Sequence, residues 1–307
     1  MTKSGWIDLQ VNGYGGVDFN ADELSIDDVL KVCQLLESDG VAAILPTIIT
    51  APLDRMTQRI KRLADWIDCV PEIAAKFVGI HIEGPFINSQ IGYVGAHPPL
   101  AVLPATVDAA DRLVSAGGGH VKLVTLAPEC DETFDVTSWL SEQSILVAGG
   151  HSDASLDQLN GAIDAGLKLY THLGNGCPVM MHRHNNIIQR VLNVADRIAI
   201  SFIADGHHVP PVALKNYLNL VPDENIVIVS DAISAAGLGP GDYQLSGQTV
   251  HVDEAGAAWS ADRTHFAGSA ATLPKMHSVL KAMSITDDQI HRWMSDNPKR
   301  LLSMSAK

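Results

Sequence analysis

The segment Ile145–Leu173 reads ILVAGGHSDASLDQLNGAIDAGLKLYTHL and contains one strand–helix–strand unit. Two apolar runs, Ile145–Ala148 and Leu167–Tyr170, enclose a helical pattern at Ser155–Asp164. The runs lack strict polar–apolar alternation, which is typical of strands buried on both faces of a parallel sheet. This unit therefore predicts an α/β fold with parallel strands.

The same alternation of apolar runs and helical patterns continues along the chain. The predicted strands are Trp6–Val11, Val41–Ile48, Lys76–Ile82, Val121–Leu126, Ile145–Ala148, Leu167–Tyr170, Ile198–Ile203 and Asn225–Val229. The predicted helices are Asp22–Ser38, Leu53–Cys69, Pro104–Ser115, Glu132–Glu142, Ser155–Asp164, Asn185–Asn193, Pro211–Leu218, Ala271–Met283 and Thr286–Ser295. Eight strands alternating with helices indicate a (β/α)₈ TIM-type barrel. An open doubly wound sheet is the alternative, but no GxGxxG follows any strand to support a dinucleotide-binding version.

The region 239–264 departs from this alternation. It is rich in Gly, Asp and Thr and contains two alternating stretches, 243–245 and 250–252, which predict a hairpin inserted after the eighth strand. A chain of 307 residues has room for two domains of about 100–200 residues, but a single barrel commonly needs about 250. We therefore expect residues 1–307 to form one barrel domain.

The composition excludes several classes of protein. Lys and Arg number 21 against 35 Asp and Glu, which gives a net charge of −14. This balance argues against binding nucleic acid or an anionic membrane by bulk charge, although a local pocket can still hold one small anion. We expect neither a secretory signal nor a membrane span, because no apolar run is long enough. The four cysteines are scattered without a CxxC pair, so we expect a cytoplasmic protein without disulfides.

Polar and titratable residues cluster at the ends of five predicted strands. These clusters are HIEGP at 81–85, GGHSD at 149–153, THLGNG at 171–176, ADGHH at 204–208 and SDA at 230–232. Barrel enzymes carry their catalytic residues at these strand ends. Glu83, His151 and His172 suit a zinc site with a fourth position open for water, and Asp231 is the natural general base. The pattern predicts metal-dependent hydrolysis of an amide or ester.

Each of these residues also has a structural interpretation. A single strand-end histidine is often only a hydrogen-bonded loop residue, and Asp231 can equally be the N-cap of a helix over 232–236. His81 lies two residues before Glu83 and so faces the same way on a strand. We interpret it as a packed, hydrogen-bonded interior histidine. The metal interpretation is favoured because three independent strands end in metal-ligand residue types.

Eight segments, in order along nearly the whole chain, resemble the N-acetylglucosamine-6-phosphate deacetylase family of the amidohydrolase superfamily. They are GWIDLQVNG at 5–13, HIEGPFIN at 81–88, GAH at 95–97, GHSDA at 150–154, THL with Asn175 at 171–175, ADGHHV at 204–209, SDA at 230–232 and AGSA at 267–270. The resemblance implies that Glu83, His151 and His172 bind the metal. It also implies that Asp231 activates the water and then protonates the amino sugar nitrogen.

The resemblance further implies how the substrate is held. His97 and His208 match residues that hold the sugar and its acetyl carbonyl or phosphate. Asn175 and the backbone of Gly176 match a phosphate-binding turn, and Arg183 resembles an arginine that reaches a phosphate, in some members across a dimer interface. The expected partner is thus a small amino sugar phosphate, and the expected assembly is a homodimer.

Gln10 and Asn12 occupy the positions where many amidohydrolases carry a His-x-His pair that holds a second metal. Neutral amides are poor zinc ligands, so we expect one divalent metal ion. Zn²⁺ is the first expectation, and Fe²⁺, Co²⁺ and Mn²⁺ suit the same ligands.

Two departures from the family pattern leave alternatives open. The chain has little sequence outside the barrel, so we expect the β-sandwich usual in the family to be absent or reduced to fragments. The loop 174–186 is not the usual family loop, because it places His182 and His184 around Arg183. It can bind a phosphate, or it can be adapted to a different N-acyl amino sugar or another small amide. A third hypothesis is a barrel that binds a sugar phosphate without catalysis, although the complete set of ligands and base argues against it.

Overall fold

A parallel sheet of eight strands forms the centre of the computed structural model, which describes residues 5–304. The strands are β1 (Trp6–Val11), β2 (Gly13–Tyr14), β3 (Val17–Asp18), β4 (Val41–Ile49), β5 (Ile80–Glu83), β6 (Val121–Leu126), β7 (Leu146–Gly149), β8 (Leu167–Tyr170), β9 (Ala199–Phe202), β10 (Ile226–Ile228), β11 (Gly241–Leu245), β12 (Gln248–Val252) and β13 (Ala258–Ser260). The central sheet has the order β1-β4-β5-β6-β7-β8-β9-β10. The predicted TIM-type barrel is confirmed.

The barrel closes between its first and last strands through a few specific contacts. Val11 forms a parallel bridge with Ala232, just beyond the end of β10. The Ala232 carbonyl accepts hydrogen bonds from the backbone N–H groups of Asn12 and Gly13, at 2.7 and 3.0 Å. Two residues before Ala232, the Ser230 N–H donates to the buried carboxylate of Asp8 on β1 at 3.1 Å. The closure therefore places the strand-one residues beside Asp231.

Helices follow most of the strands and cover the outside of the sheet. They are α1 (Ile26–Ser38), α2 (Leu53–Cys69), α3 (Pro71–Ala74), α4 (Val107–Ala116), α5 (Asp135–Glu142), α6 (Leu156–Ala165), α7 (Ile187–Asn193), α8 (Pro211–Leu220), α9 (Leu273–Ala282), α10 (Asp287–His291) and α11 (Asn297–Met304). Short 3₁₀ turns lie at Pro99–Ala101, Pro128–Cys130 and Asp223–Asn225, and a π-helical stretch at Arg292–Asp296 joins α10 to α11. None of the described helices is both long and apolar enough to cross a membrane.

Local sequence explains where several helices begin. Ser25, Thr106 and Asn186 accept a hydrogen bond from the backbone N–H three residues later, which satisfies one of the unpaired donors of the first turn. Ser155 and Thr286 form complete capping boxes with a glutamine at the third helical position. The predicted helix over 22–38 consequently begins only after its Ser25 cap.

A continuous apolar core fills the space between sheet and helices. The inward face of α2 is typical, since Met56, Ile60 and Leu63 are completely buried. A second, smaller apolar cluster lies at the mouth of the barrel, where Leu245 and Val250 pack with Ile49 and Ile233. This cluster attaches β11–β13 above the carboxyl ends of the central strands.

The inserted region contains more structure than a hairpin. Strands β11 and β12 pair antiparallel, and β13 adds to β12 as a third strand. Three residues are too few to show a period-two pattern, so β13 has no sequence signal. The predicted strand over 76–82 begins later, at Ile80, because Phe77 forms only an isolated bridge with Ile44.

Candidate metal centre and active site

A cavity of about 340 Å³ opens at the carboxyl ends of the barrel strands. Its base is formed by residues that end β5, β7, β8 and β10, and its upper wall by the β11–β13 insertion. The polar lining residues relevant to chemistry are Asn12, Glu83, His97, His151, His172, Asn175, His208 and Asp231. The position of the cavity is where a barrel enzyme carries its active site.

Three imidazole rings converge on the carboxylate of Glu83 at the base of the cavity. Nε2 of His172 and Nε2 of His151 lie 2.9 and 3.3 Å from Oε1 of Glu83. Nε2 of His97 lies 3.7 Å from Oε2 of the same carboxylate. All four side chains are buried. Ligand atoms of Glu83, His97 and His151 lie within 4.8 Å of one another, so the group can hold a metal ion.

The hydrogen-bond partners of two of these rings fix their tautomers. Nδ1 of His151 lies 2.8 Å from the carbonyl oxygen of Tyr93, which only accepts, so Nδ1 carries a proton. In the neutral ring, the Nε2 lone pair then faces the Glu83 carboxylate. Two lone pairs facing each other require a cation between them or a proton on the ring. His151 thus fits a metal ligand whose second nitrogen is held by a backbone carbonyl.

His97 has the opposite tautomer. Its Nδ1 accepts from the backbone N–H of Thr50 at 3.4 Å, so the proton of the neutral ring lies on Nε2. Burial and the charge of His151 lower the pKa of His97 to about 3, so the ring is neutral. Its Nε2–H is a hydrogen-bond donor aimed at the centre of the site. This geometry suits a donor to a carbonyl oxygen better than a metal ligand.

The charge balance of the centre depends on the same contacts. Burial raises the pKa of Glu83, but hydrogen bonds from His151 and His172 hold it well below its usual range. Burial lowers the pKa of His151, and the hydrogen bond and charge of Glu83 outweigh this and raise it. Nδ1 of His172 is buried and has no hydrogen-bond partner among the described residues. An ionised carboxylate ringed by imidazole nitrogens suits a divalent cation.

Asp231 lies close to this group, because Nε2 of Gln10 donates both to Oδ1 of Asp231 and to Oε1 of Glu83. Its Oδ1 accepts from Nδ2 of Asn12 at 2.7 Å and from Nε2 of Gln10 at 3.2 Å. Burial and the charge of Glu83 raise the pKa of Asp231 to about 6. A half-buried carboxylate with such a pKa can accept a proton from water near neutral pH and return it.

Three site residues have strained backbones. His151, His172 and Asp231 have φ angles of 50, 32 and 48°, in the left-handed region that non-glycine residues rarely adopt. Each stands just beyond the end of a barrel strand, where the chain turns sharply and directs the side chain into the cavity. Such conformations cost on the order of 1–3 kcal/mol each and concentrate at active sites.

Comparison with known proteins identifies relatives that share this architecture. No protein-family model matches the chain. An N-acetylglucosamine-6-phosphate deacetylase from Bacillus subtilis is 31% identical over 250 residues, and the match covers 81% of this chain and 62% of that protein. The N-acetylglucosamine-6-phosphate deacetylase of Bos taurus is 32% identical over 311 residues, and here the match covers 99% of this chain and 75% of the relative. The chain belongs to the N-acetylglucosamine-6-phosphate deacetylase family.

A solved structure of this deacetylase family supports the same conclusion. The Mycobacterium smegmatis N-acetyl-D-glucosamine-6-phosphate deacetylase, an aspartate-to-alanine variant in complex with N-acetyl-D-glucosamine-6-phosphate, superposes with a TM-score of 0.88 at 28% identity. The match covers 97% of this chain and 77% of that protein. The chain therefore spans less than two thirds of the Bacillus relative and about three quarters of the other two.

The five predicted substrate residues divide into those that line the cavity and one that does not. His97, Asn175, Gly176 and His208 all line the cavity. His208 is held by Asp205, whose Oδ2 lies 2.7 Å from Nδ1 of the ring. Four of the five predicted substrate residues therefore line the same cavity as the proposed metal ligands.

Arg183, the fifth predicted substrate residue, is exposed and does not line the cavity. Nδ1 of the neighbouring His182 accepts from the backbone N–H groups of His184 and Asn185, at 3.3 and 2.9 Å, so that ring orders its own loop. A role for Arg183 in substrate binding stays a prediction. His81 is a packed interior histidine, with its ring nitrogens 3.3 and 2.8 Å from threonine hydroxyls.

Two aromatic residues of the cavity have no individual signal in the sequence. Phe266 packs on His208 with ring centroids 4.8 Å apart, and Trp259 packs on Phe266 at 4.4 Å. Both line the cavity, and Nε1 of Trp259 donates to Asp253 at 2.9 Å. We call His208, Phe266 and Trp259 the aromatic wall. Only the placement of Trp259 inside the predicted insertion and of Phe266 beside the AGSA segment pointed towards this wall.

Proposed function

We propose that this chain hydrolyses the N-acetyl group of N-acetylglucosamine-6-phosphate to give glucosamine-6-phosphate and acetate. One observation carries the proposal. Nε2 of His151 faces the Glu83 carboxylate at 3.3 Å, and the Asp231 carboxylate lies beside this pair in the same cavity. This arrangement combines a cation site with a general base, as hydrolysis of an amide requires. Family membership supports the choice of amide.

Glu83, His151 and His172 hold one divalent metal ion, for which Zn²⁺ is our first choice. Bound there, the ion supplies Lewis-acid polarisation of the carbonyl and lowers the pKa of water towards about 7. The three nitrogen and oxygen ligands equally suit Fe²⁺, Co²⁺ or Mn²⁺. Nε2 of His172 lies 2.9 Å from Oε1 of Glu83, so this nitrogen and the carboxylate would face the same ion.

Asp231 and His97 carry out the proton and charge chemistry. The Asp231 carboxylate takes a proton from the attacking water as the new C–O bond forms at the acetyl carbon. The same carboxyl then gives a proton to the sugar nitrogen as the C–N bond breaks, so the leaving group departs as an amine. The Nε2–H of His97 donates to the developing oxyanion, where a fixed donor is most effective.

His208, Asn175 and Gly176 bind the sugar phosphate. We further propose a cytoplasmic homodimer in which Arg183 of one subunit reaches the phosphate held by the other. A protein with net charge −14 can bind this anion because the donors are local.

Release of acetate from paired substrates tests the proposed function. We expect the zinc-loaded protein to deacetylate N-acetylglucosamine-6-phosphate with a kcat/KM at least about 100-fold above that for N-acetylglucosamine, because a charge-assisted phosphate contact contributes a few kcal/mol. Equal rates on the two sugars would contradict the phosphate site. Binding of the sugar phosphate without acetate release would show a non-catalytic barrel.

A second candidate function follows from the exposed Arg183. If the loop 174–186 is not a phosphate-binding loop, the same centre acts on another N-acyl amino sugar or small amide. A panel of unphosphorylated N-acetyl sugars distinguishes this function, because one of them would then exceed the 6-phosphate in kcat/KM.

A further inference from the structure

Gln10 lies between the two carboxylates of the site. It is on β1, is buried, and its Nε2 donates to Oε1 of Glu83 at 2.8 Å and to Oδ1 of Asp231 at 3.2 Å. A primary amide has two N–H groups, so these two contacts use its full donor capacity. Gln10 therefore joins the metal-binding carboxylate to the catalytic one.

The orientation of the Gln10 amide is fixed from its other side. Oγ1 of Thr171 lies 2.6 Å from Oε1 of Gln10. Because the amide oxygen only accepts, the hydroxyl is the donor, and the NH₂ group must face the carboxylates. A flipped amide would place its oxygen against two ionised carboxyl groups. Thr171 thus determines the direction in which Gln10 donates.

Asn12 adds a second donor to the same oxygen of Asp231. Its Nδ2 lies 2.7 Å from Oδ1 of Asp231, so both amides donate to Oδ1. Among the described residues, no side chain donates to Oδ2, and Asp231 lines the cavity. The two amides therefore distinguish the two oxygens of this carboxylate, with Oδ1 held and Oδ2 available to water.

We propose that Gln10 and Asn12 are positioning residues that hold Oδ1 of Asp231, with Gln10 also holding Oε1 of Glu83, so that Oδ2 of Asp231 is the oxygen that receives the proton. The inference rests on the proposed deacetylase function. It assigns a role in turnover to two residues that act through the carboxylates of Asp231 and Glu83. Loss of positioning lowers kcat while KM and metal content stay the same.

The test compares four zinc-loaded proteins: wild type, Gln10→Leu, Thr171→Val and Thr171→Ser. Gln10→Leu removes both N–H donors at similar length, and Thr171→Val removes only the hydroxyl that orients the amide. We expect kcat to fall about 10–100-fold in Gln10→Leu and about 3–10-fold in Thr171→Val. Thr171→Ser keeps the hydroxyl, so its kcat should stay within about twofold of wild type.

Metal content and KM separate positioning from a structural role. We expect each variant to bind the same amount of zinc per chain as wild type, measured by elemental analysis, and to show a KM within about threefold of wild type. An unchanged kcat in both Gln10→Leu and Thr171→Val would overturn the inference. So would a loss of activity that only follows lost zinc, or a Thr171→Ser defect equal to that of Thr171→Val.

The same experiment distinguishes failure of the proposed deacetylase function from failure of the positioning role of Gln10. A wild-type protein that releases no acetate when zinc-loaded contradicts the proposed function and the inference with it. An active wild type with fully active, fully metallated Gln10→Leu and Thr171→Val variants contradicts the inference alone.

Discussion

Nε2 of His151 lies 3.3 Å from Oε1 of Glu83, while its Nδ1 donates to the carbonyl of Tyr93. This pairing of an imidazole lone pair with a carboxylate is unfavourable without a positive charge between the two atoms. Either a proton or a metal ion supplies that charge. Burial disfavours the proton, but the ionised Glu83 carboxylate raises the pKa of His151 and equally favours a metal ion at this position.

Metal removal should therefore affect stability as well as activity. We expect the purified protein to contain about one equivalent of divalent ion, because strand one offers amides instead of histidines. Chelation should abolish acetate release and lower the Tm, and added Zn²⁺ should restore both. His151→Ala should lose the metal, whereas the control His120→Ala, on the surface beside Asp68, should keep it. Full activity after chelation would contradict the metal centre.

Asp231→Asn should bind metal and substrate but lose turnover. The asparagine oxygen can still accept from Gln10 and Asn12, so the site keeps its shape while the proton acceptor is lost. We expect kcat to fall at least about 10³-fold, within the range for loss of a general base, with KM changed less than about threefold. Asp65→Asn on α2 is the matched control. Near-normal turnover in Asp231→Asn would remove the proposed base.

The aromatic wall should contribute to substrate affinity rather than to the chemical step. Trp259 packs on Phe266 and both line the cavity, so an apolar sugar face can be placed against them. We expect Trp259→Ala to raise KM about 5–30-fold with kcat within about threefold, as loss of roughly 1–2 kcal/mol of binding implies. Trp139→Ala on α5 serves as the control. A pure kcat defect would indicate that Trp259 acts on the chemistry instead.

Arg183 offers a direct test of the homodimer. We expect Arg183→Ala to lose most of the preference for the 6-phosphate, while Arg112→Ala on α4 keeps it. If Arg183 acts on the neighbouring subunit, co-expression of Arg183→Ala with Asp231→Asn creates one complete site in each mixed dimer. The mixture should then show a higher kcat/KM for the 6-phosphate than either parent alone. Absence of this complementation in a verified mixed dimer would place Arg183 outside the partner's site.

The free energy of unfolding should depend on pH through Asp8, which lies at the closure between β1 and β10. Burial raises the pKa of Asp8 to about 7, even though the backbone N–H groups of Ser230 and Gln10 donate to its carboxylate. The native state then holds a proton that the unfolded chain releases, so the free energy of unfolding decreases as pH rises from about 4 to 7. The decrease is at most about 4 kcal/mol for a shift of this size.

Asp8→Asn removes this titration and should flatten the dependence. Unfolding by urea at pH 5 and pH 8 measures the difference, with Asp65→Asn as the exposed control. We expect the loss of stability between the two pH values to be smaller in Asp8→Asn than in wild type. Equal losses in the two proteins would show that Asp8 does not titrate in this range.

Much of the fold was predictable from the sequence because the buried strands are short, largely apolar runs that lack strict polar–apolar alternation. The limits of β1, β6 and β8 agree with the predicted strands, and the strand-end clusters indicated where Glu83 and His151 would meet. Histidine tautomers were not predictable, because they depend on Tyr93 and Thr50, which are distant in sequence. Nor was the exposure of Arg183, since a loop's path depends on packing and not on periodicity.

The left-handed backbone at His151, His172 and Asp231 sets the stability of this protein against its activity. Glycine adopts such angles at lower energy than histidine or aspartate, so replacing Asp231 by glycine would relieve local strain while removing the proposed catalytic base. At His151 and His172 the same replacement would also remove a proposed metal ligand, and the stability lost with the metal would oppose the relief of strain. Retention of Asp231 in a lineage is accordingly a sign of continued selection for catalysis, and its replacement by glycine would mark a lineage that has abandoned it.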